Sequence, residues 1–311
     1  MMKHYRLLFV SLCKPDRPEG IFCSNHMIAW GLWEAFSLMP HVVLDYQDSD
    51  SPLTAQGPWD FVLIHAYFGS PIYEALSTIH QRTRQVLLVQ KISHDSPHID
   101  HHFTFLTPHV ARATHIGIPS LKSLLAATIR PKHPGSVLLD HAWLPYAGTD
   151  FNWCPRLRQW LHDRMAAQLI RSPDSYAAQR CAQLLRSGCT SEEHLPPGWQ
   201  AIAETGYPQY LEATAHFQNF IVTHPGSYEH SIIDMAARGI RVLVPQIDGK
   251  PFIHPELVEA LRLATFGSET DLDDLLNATP HQATLLDDGQ PYHDLAEIAA
   301  QIDAYCQEAM P

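Results

Sequence analysis

Short apolar runs alternate with longer stretches of helical spacing through the first half of the chain. RLLFVSL (6–12), HVVLDY (41–46), DFVLIHAY (60–67) and QVLLVQKI (85–92) are continuous apolar runs of strand length. Between them, HMIAWGLWEAFSLM (26–39) and PIYEALSTIHQR (71–82) read as helices. Strands that are apolar throughout, rather than at every second position, fit a parallel sheet covered on both faces, so a doubly wound α/β domain is expected. HFTFLT, ATHIGIP and SVLLDHAWLP add shorter extended pieces to the same domain.

WLPYAGTDFNWCP (143–155) is rich in Pro, Gly, Asn and Asp and reads as a linker. Beyond it, RLRQWLHDRMAAQLI and SYAAQRCAQLLRSG have a helical apolar stripe, and TSEEHLPPGW offers a helix start at Thr190 or Ser191. Residues 156–190 hold no convincing strand, so the second domain is expected to be abbreviated. A strand FIVTH (220–224), a helix SIIDMAARG (231–239) and a strand RVLVP (241–245) follow, and two acidic helices near 270–277 and 292–309 close the chain. The expected division is 1–145 as an amino-terminal domain, 146–156 as linker, 157–290 as a second domain and 291–311 as a carboxyl-terminal helix.

Composition narrows the setting. At 311 residues, two domains are the natural expectation. Apolar residues at 45% and charged residues at 17% argue against long disorder. The net charge is −12 and the 21 Lys+Arg are scattered, which disfavours a general grip on nucleic acid while leaving room for a local basic cleft. The cysteines, Cys13, Cys23, Cys154, Cys181, Cys189 and Cys306, have neither zinc-ribbon nor C-x-x-C spacing. Reduced thiols in a cytoplasm are the simplest reading. The opening apolar run is too short for a signal peptide, and no window approaches the roughly 20 apolar residues that span a bilayer. The expected location is cytoplasmic, with any membrane contact peripheral and no integral segment.

Candidate chemistry concentrates in FIVTHPGSYEHSIIDMAARGIRVLVPQ, residues 220–246. Its loop, His224, Pro225, Gly226, Ser227, Tyr228 and Glu229, lies between a strand's carboxyl end and a helix amino terminus. Gly226 permits a sharp turn, and Ser227 with the following backbone N–H groups would cradle a diphosphate. Asp234, one turn into the helix, would reach ribose hydroxyls, and Gly239 closes the helix. The same pattern also reads as a buried strand–helix–strand unit without a ligand.

This segment resembles the donor-binding motif of GT-B-type glycosyltransferases. Their pattern, E-A-M-A-x-G-x-P-V, stands here as Ile233-Asp234-Met235-Ala236-Ala237-Arg238-Gly239-Ile240-Arg241-Val242. YLEATAHFQNFIVTH upstream and DLDDLLNA downstream resemble the flanks of that motif. The likeness covers about residues 205–280, and the first half matches by layout. It implies a GT-B-like fold of two facing Rossmann-like domains, with sugar transfer, hexosyl or related, from a nucleotide sugar to an acceptor hydroxyl. By that resemblance Asp234 holds the ribose, and no cofactor is required. Gly226 stands where many retaining members have a glutamate, Asp replaces Glu at 234, and Ile240-Arg241 replace an apolar-Pro pair. Retaining and inverting chemistry both stay open.

Transfer needs a base and a counter-charge for the leaving diphosphate. Asp95, then His94, after the strand at 85–92, are the first candidates as base; an acidic residue there resembles the layout of phage DNA glucosyltransferases. Asp16 or Glu19 in KPDRPEG (14–20) are the next, with Arg17 and Gly20 beside them. His98, Asp100, His101 and His102 form a dense cluster that reads either as wet surface or as a divalent-metal site. His65, in IHAYFG, reads as a satisfied, half-buried histidine. Lys250, with Arg171 and Arg180 behind it, is the candidate for phosphate charge. A glycosyltransferase is therefore expected, acting on polysaccharide, lipopolysaccharide, protein or modified DNA. A sugar-nucleotide epimerase or hydrolase, and a non-catalytic ligand- or partner-binding protein, are the alternatives on the same two-domain shell.

Overall fold

The computed structural model describes residues 2–12, 14, 16–18, 24–66, 69–91, 96–139, 182–184, 200–202, 207–222, 230–247, 249–251, 253–278 and 292–311. The chain forms two compact units, one of Met1–Lys122 with Pro291–Pro311 and one of Ser123–Gln290. The expected linker at 146–156 lies outside the described residues.

The first unit is built on β1 (Tyr5–Ser11), β2 (Val42–Asp48), β3 (Trp59–His65), β4 (Thr83–Gln90), β5 (His101–Thr104) and β6 (Ala113–His115). They form one sheet in the order β2-β1-β3-β4-β5-β6, and every pair is parallel. Leu7, Leu8, Phe9 and Val10 of β1 and Phe61, Val62, Leu63 and Ile64 of β3 are all fully buried. That is why these runs are apolar without alternation: layers cover both faces. On one face Leu8, Val10, Val62, Ile64, Val86 and Leu88 pack with Ile72, Leu76 and Ile79. The helix expected over 71–82 is two short pieces, a 3-10 turn at Pro71–Ala75 and α2 (Leu76–His80); the preceding helix, α1, spans Ser24–Ser37.

The second unit has a seven-stranded sheet in the order β10-β9-β8-β11-β12-β13, with β14 also on β12. The strands are β8 (Val137–Leu139), β9 (Ala182–Leu184), β10 (Gln200–Ile202), β11 (Asn219–Ile221), β12 (Arg241–Ile247), β13 (Lys250–Pro251) and β14 (Ala264–Phe266). Among the described strands only the β12–β13 pair is antiparallel. Two sequence expectations change here. SVLLDHAWLP, read as part of the first domain, supplies β8, which pairs with β11 and β9 in the second sheet. SYAAQRCAQLLRSG, read as a helix, contains β9, so the stretch read as strandless does carry a strand. Ala, Gln and Leu favour helix locally, but parallel partners on both sides satisfy the β9 backbone and override that preference.

Helices α3 (Lys122–Ala127), α4 (Tyr207–Thr214), α5 (His230–Ala237), α6 (Pro255–Ala260) and α7 (Glu269–Asn277) complete the middle of the chain. Every residue of α5 is buried, and Gly239 just beyond it has φ +72°, the left-handed conformation of a helix stop. The chain then returns to the first unit. β15 (Tyr292–Asp294) pairs in parallel with β7 (Ile118–Ser120), and α8 (Leu295–Ala309) follows. Asp294 and Glu297 form a capping box at its start. On α8, Asp303 Oδ1 accepts from Tyr5 Oη at 2.7 Å and pairs with His41 Nε2 at 2.9 Å. Among the described residues no helix is long and apolar enough to cross a membrane.

Gly31 of α1 lies against Leu295, so a Cβ there would overlap the leucine side chain. Gly31→Val is expected to cost about 1–3 kcal/mol through overpacking, read as a lowered Tm in thermal unfolding.

Candidate functional site

In a parallel sheet every strand delivers its following loop to the same edge, and ligands gather where the strand order reverses. In the first unit that place is the carboxyl end of β1 and β3, because β2 lies on the other side of β1. Lys14 stands just beyond β1. Its backbone N–H donates to Tyr46 Oη at 2.9 Å, and that hydroxyl donates to the Ser11 carbonyl at 3.0 Å. Its ammonium lies 4.8 Å from the Trp33 ring centroid and 5.8 Å from that of Tyr46. Only 13% of the Lys14 side chain is exposed, so the two aromatic faces stabilise a largely enclosed cation.

Sequence reasoning passed over Lys14. The available signal was its position as the first cation after the opening strand. Asp16, a candidate base, is 3.5 Å from the Lys14 ammonium and has a side chain 99% exposed. Glu19, His94 and Asp95 lie outside the described residues.

His65 differs from its expected half-buried, satisfied state. It is 3% exposed, and Nδ1 lies 2.9 Å from the Val89 carbonyl oxygen. A carbonyl only accepts, so Nδ1 carries the hydrogen, and Nε2 has no partner among the described residues. Burial pulls its pKa down to about 4, which keeps the ring neutral near pH 7. Beside it, the Ala66 carbonyl accepts from Tyr73 Oη at 3.1 Å and from the Gln90 amide.

The histidine-rich segment does not converge. His80 Nε2 is 3.3 Å from Asp100 Oδ1, while Asp100 Oδ2 accepts from the Val86 N–H at 2.8 Å. His101 stacks on Tyr305 with centroids 4.3 Å apart, and its neighbour His102 is buried. Successive strand residues face opposite sides of a sheet, so these two cannot share a ligand. Among the described residues no group of three or more His, Cys, Asp or Glu could hold a metal ion.

In the second unit the loop His224, Pro225, Gly226, Ser227, Tyr228 and Glu229 lies outside the described residues, as do Arg171 and Arg180. Its flanking elements β11 and α5 are described. Asp234 has no exposed surface, and its Oδ1 accepts from Tyr207 Oη of α4 at 2.9 Å. Arg238, equally buried, donates from Nε to the Asp234 carbonyl at 3.0 Å, from Nη1 to the Leu211 carbonyl at 2.6 Å and from Nη2 to Thr214 Oγ1 at 2.8 Å. These bonds join α5 to α4. Burial, then the Asp234 carboxyl, pushes the Tyr207 phenol well above its ordinary range, so Tyr207 remains the donor. Lys250 is exposed on the β12–β13 hairpin beside Gly249, whose φ is +74°.

No protein-family model matches the chain, and no curated protein sequence matches it. Similar solved structures cover nearly its whole length. A protein assigned as a UDP-N-acetylglucosamine 2-epimerase from Listeria monocytogenes aligns over 98% of this chain and 97% of its own, with TM-score 0.60 and 14% identity. The S. aureus MnaA–UDP structure aligns over 98% and 97%, with TM-score 0.58 and 13% identity. The UDP-GlcNAc 2-epimerase of Methanocaldococcus jannaschii aligns over 96% and 99%, with TM-score 0.56 and 11% identity.

The chain therefore has a GT-B-like α/β fold, which such epimerases share with glycosyltransferases. The expectation of glycosyl transfer is overturned, because these full-length structural neighbours are UDP-GlcNAc 2-epimerases. The strand–loop–helix–strand at 220–246 belongs to the fold and does not distinguish the reactions the fold supports.

Two outcomes are expected. His65 takes up its proton near 6.5 in the unfolded chain but only near 4 in the folded one. Its contribution of about 3 kcal/mol is fully present above pH 6.5 and is lost as pH falls towards 4. In denaturant titrations across that window, wild type should therefore lose more stability than His65→Gln. Tyr207→Phe removes a buried hydrogen bond to a carboxyl group and should lower unfolding free energy by about 1.5–3 kcal/mol in the same assay.

Proposed function

We propose that this protein is an enzyme acting on a UDP-sugar, inverting the configuration at C2 without a separate acceptor. The observation that carries the reading is the extent of the structural likeness, which spans both compact units rather than one common motif. Two of the similar structures contain UDP, one of them with UDP-GlcNAc as well. An epimerisation leaves the composition of the substrate unchanged and transfers no group, so the acceptors considered from sequence have no place in it. Inversion at a carbon bearing hydrogen needs one group to take the hydrogen and one to return it on the other face. Asp95, His94, Asp16 and Glu19 are the proposed candidates for that exchange.

On the nucleotide side, the proposal retains the loop His224, Pro225, Gly226, Ser227, Tyr228 and Glu229, at the amino end of α5. Lys250, exposed after β12, is the cation it would use. Asp234, fully enclosed, enters as the residue that fixes α5 through Tyr207, placing that helix terminus for the diphosphate. Sugar-nucleotide hydrolysis is the neighbouring activity on the same fold, and it differs by releasing UDP.

The test is incubation of the protein with UDP-GlcNAc alone in deuterated water, followed by proton NMR. The expected result is the C2 epimer of the substrate with deuterium at C2. Free UDP without the epimer would move the assignment to hydrolysis. Thermal shift supplies the binding half of the test: UDP at 100 times its dissociation constant should add about 2.7 kcal/mol of stability. A shift without turnover would make the protein a binding module, and silence in both measurements would remove the UDP-sugar reading.

A further inference from the structure

Buried polar atoms at the carboxyl edge of the first sheet, Ser11 Oγ and His65 Nε2 on adjacent strands among them, have nothing to bond to among the described residues. Ser11 ends β1, His65 ends β3, and the two are register partners in the parallel pair. Their side chains therefore leave the sheet on the same face, about 4.8 Å apart across one strand spacing. Ser11 is 0% exposed, and its Oγ, like His65 Nε2, lacks a hydrogen-bond partner. Buried polar groups left in this state oppose folding, so packing alone does not explain them. One step back on the same face the register pair is Phe9 and Leu63, both fully buried and apolar. The change from apolar to polar falls where the strand order reverses and parallel sheets receive their ligands.

The chemistry of the pair selects what it can hold. His65 spends its one hydrogen on the Val89 carbonyl, so Nε2 offers only a lone pair. A phosphate or carboxylate oxygen has no hydrogen to give it, and the neutral ring adds no charge to attract an anion. Ser11 Oγ can both donate and accept. Side by side, the two suit a group that donates once and accepts once, which is an alcohol.

We propose that Ser11 and His65 form a binding site for a hydroxyl of the sugar portion of the ligand. The hydroxyl donates to His65 Nε2 and accepts from Ser11 Oγ–H. The identity of the ligand rests on the UDP-sugar reading above; the hydroxyl preference rests on the two side chains.

The experiment compares full-length wild type, Ser11→Ala and His65→Asn by calorimetry with UDP and with UDP-GlcNAc. Asparagine can keep a donor towards the Val89 carbonyl while removing the Nε2 acceptor. UDP affinity should stay within about twofold in both variants, while UDP-GlcNAc affinity falls by about tenfold in each. Thermal unfolding without ligand gives a second readout: Ser11→Ala should match or exceed the wild-type Tm, because it removes a buried hydroxyl that bonds to nothing among the described residues. A lower Tm for Ser11→Ala would show a structural partner for the hydroxyl and overturn the proposal. Equal losses of UDP and UDP-GlcNAc would also overturn it, since the pair would then act on the nucleotide. Wild-type affinity for UDP-GlcNAc in both variants would sink this inference and leave the UDP-sugar reading standing. Absence of binding of either ligand to wild type would remove both. Should His65→Asn fail to fold, Ser11→Ala decides by the same two measurements.

Discussion

Parallel pairing is the constraint from which most of this molecule follows. A parallel strand cannot return through a tight turn, so each connection crosses over a face and covers it. Both faces of the first sheet are consequently dry at its centre, and the interior positions of β1 and β3 are apolar without interruption. The same geometry carries each loop that follows a strand to one edge. Polar residues appear there at the ends of otherwise apolar strands: Ser11 on β1, His65 on β3, Gln90 on β4 and Thr104 on β5. The candidate chemistry of the first unit is a product of topology before it is a product of any single residue.

Closure of that unit depends on the chain's two ends. β15 pairs with β7 and α8 lies on the unit that Met1 begins, so residues nearly 300 positions apart share a core. Tyr5 and His41 meet on one oxygen of Asp303, and Gly31 leaves the space that Leu295 fills. In the second unit Arg238 plays a comparable joining part. Its guanidinium is satisfied by carbonyls and a hydroxyl of α4 and α5, which holds the wholly buried α5 in place ahead of the loop proposed to bind nucleotide. A buried cation fully bonded in this way secures an orientation that apolar packing alone would leave looser.

The relation between fold and reaction explains the one large revision. Epimerases and glycosyltransferases share this architecture, and a shared fold does not fix the reaction. A strand–loop–helix–strand pattern such as 220–246 reports the shared portion. Binding and catalytic residues gather on loops in such folds, where no periodicity marks them and their meaning depends on what lies across from them.

Much of the architecture was legible in local pattern. The apolar runs at 6–12, 60–67 and 85–92 became β1, β3 and β4; SIIDMAARG became α5, closed by Gly239; and the acidic tail helices became α7 and α8. Periodicity records which faces are buried, and burial is a local property of each segment. Other features depend on distant partners that no local pattern names. The strand at Val137–Leu139 reads the same whichever sheet it joins, and only its pairing with Asn219–Ile221 places it in the second. Ala182–Leu184 is helix by composition and strand by company. His65 reads as a buried histidine in an apolar run, but its free nitrogen and the neighbouring Ser11 hydroxyl emerge only when two strands align in register. By itself the sequence determined the main strands and the covered parallel sheet of the first unit, because burial leaves its mark residue by residue. Tertiary structure decided which elements share a sheet and which buried polar atoms are left without a partner among the described residues, because hydrogen-bond partners are supplied across space.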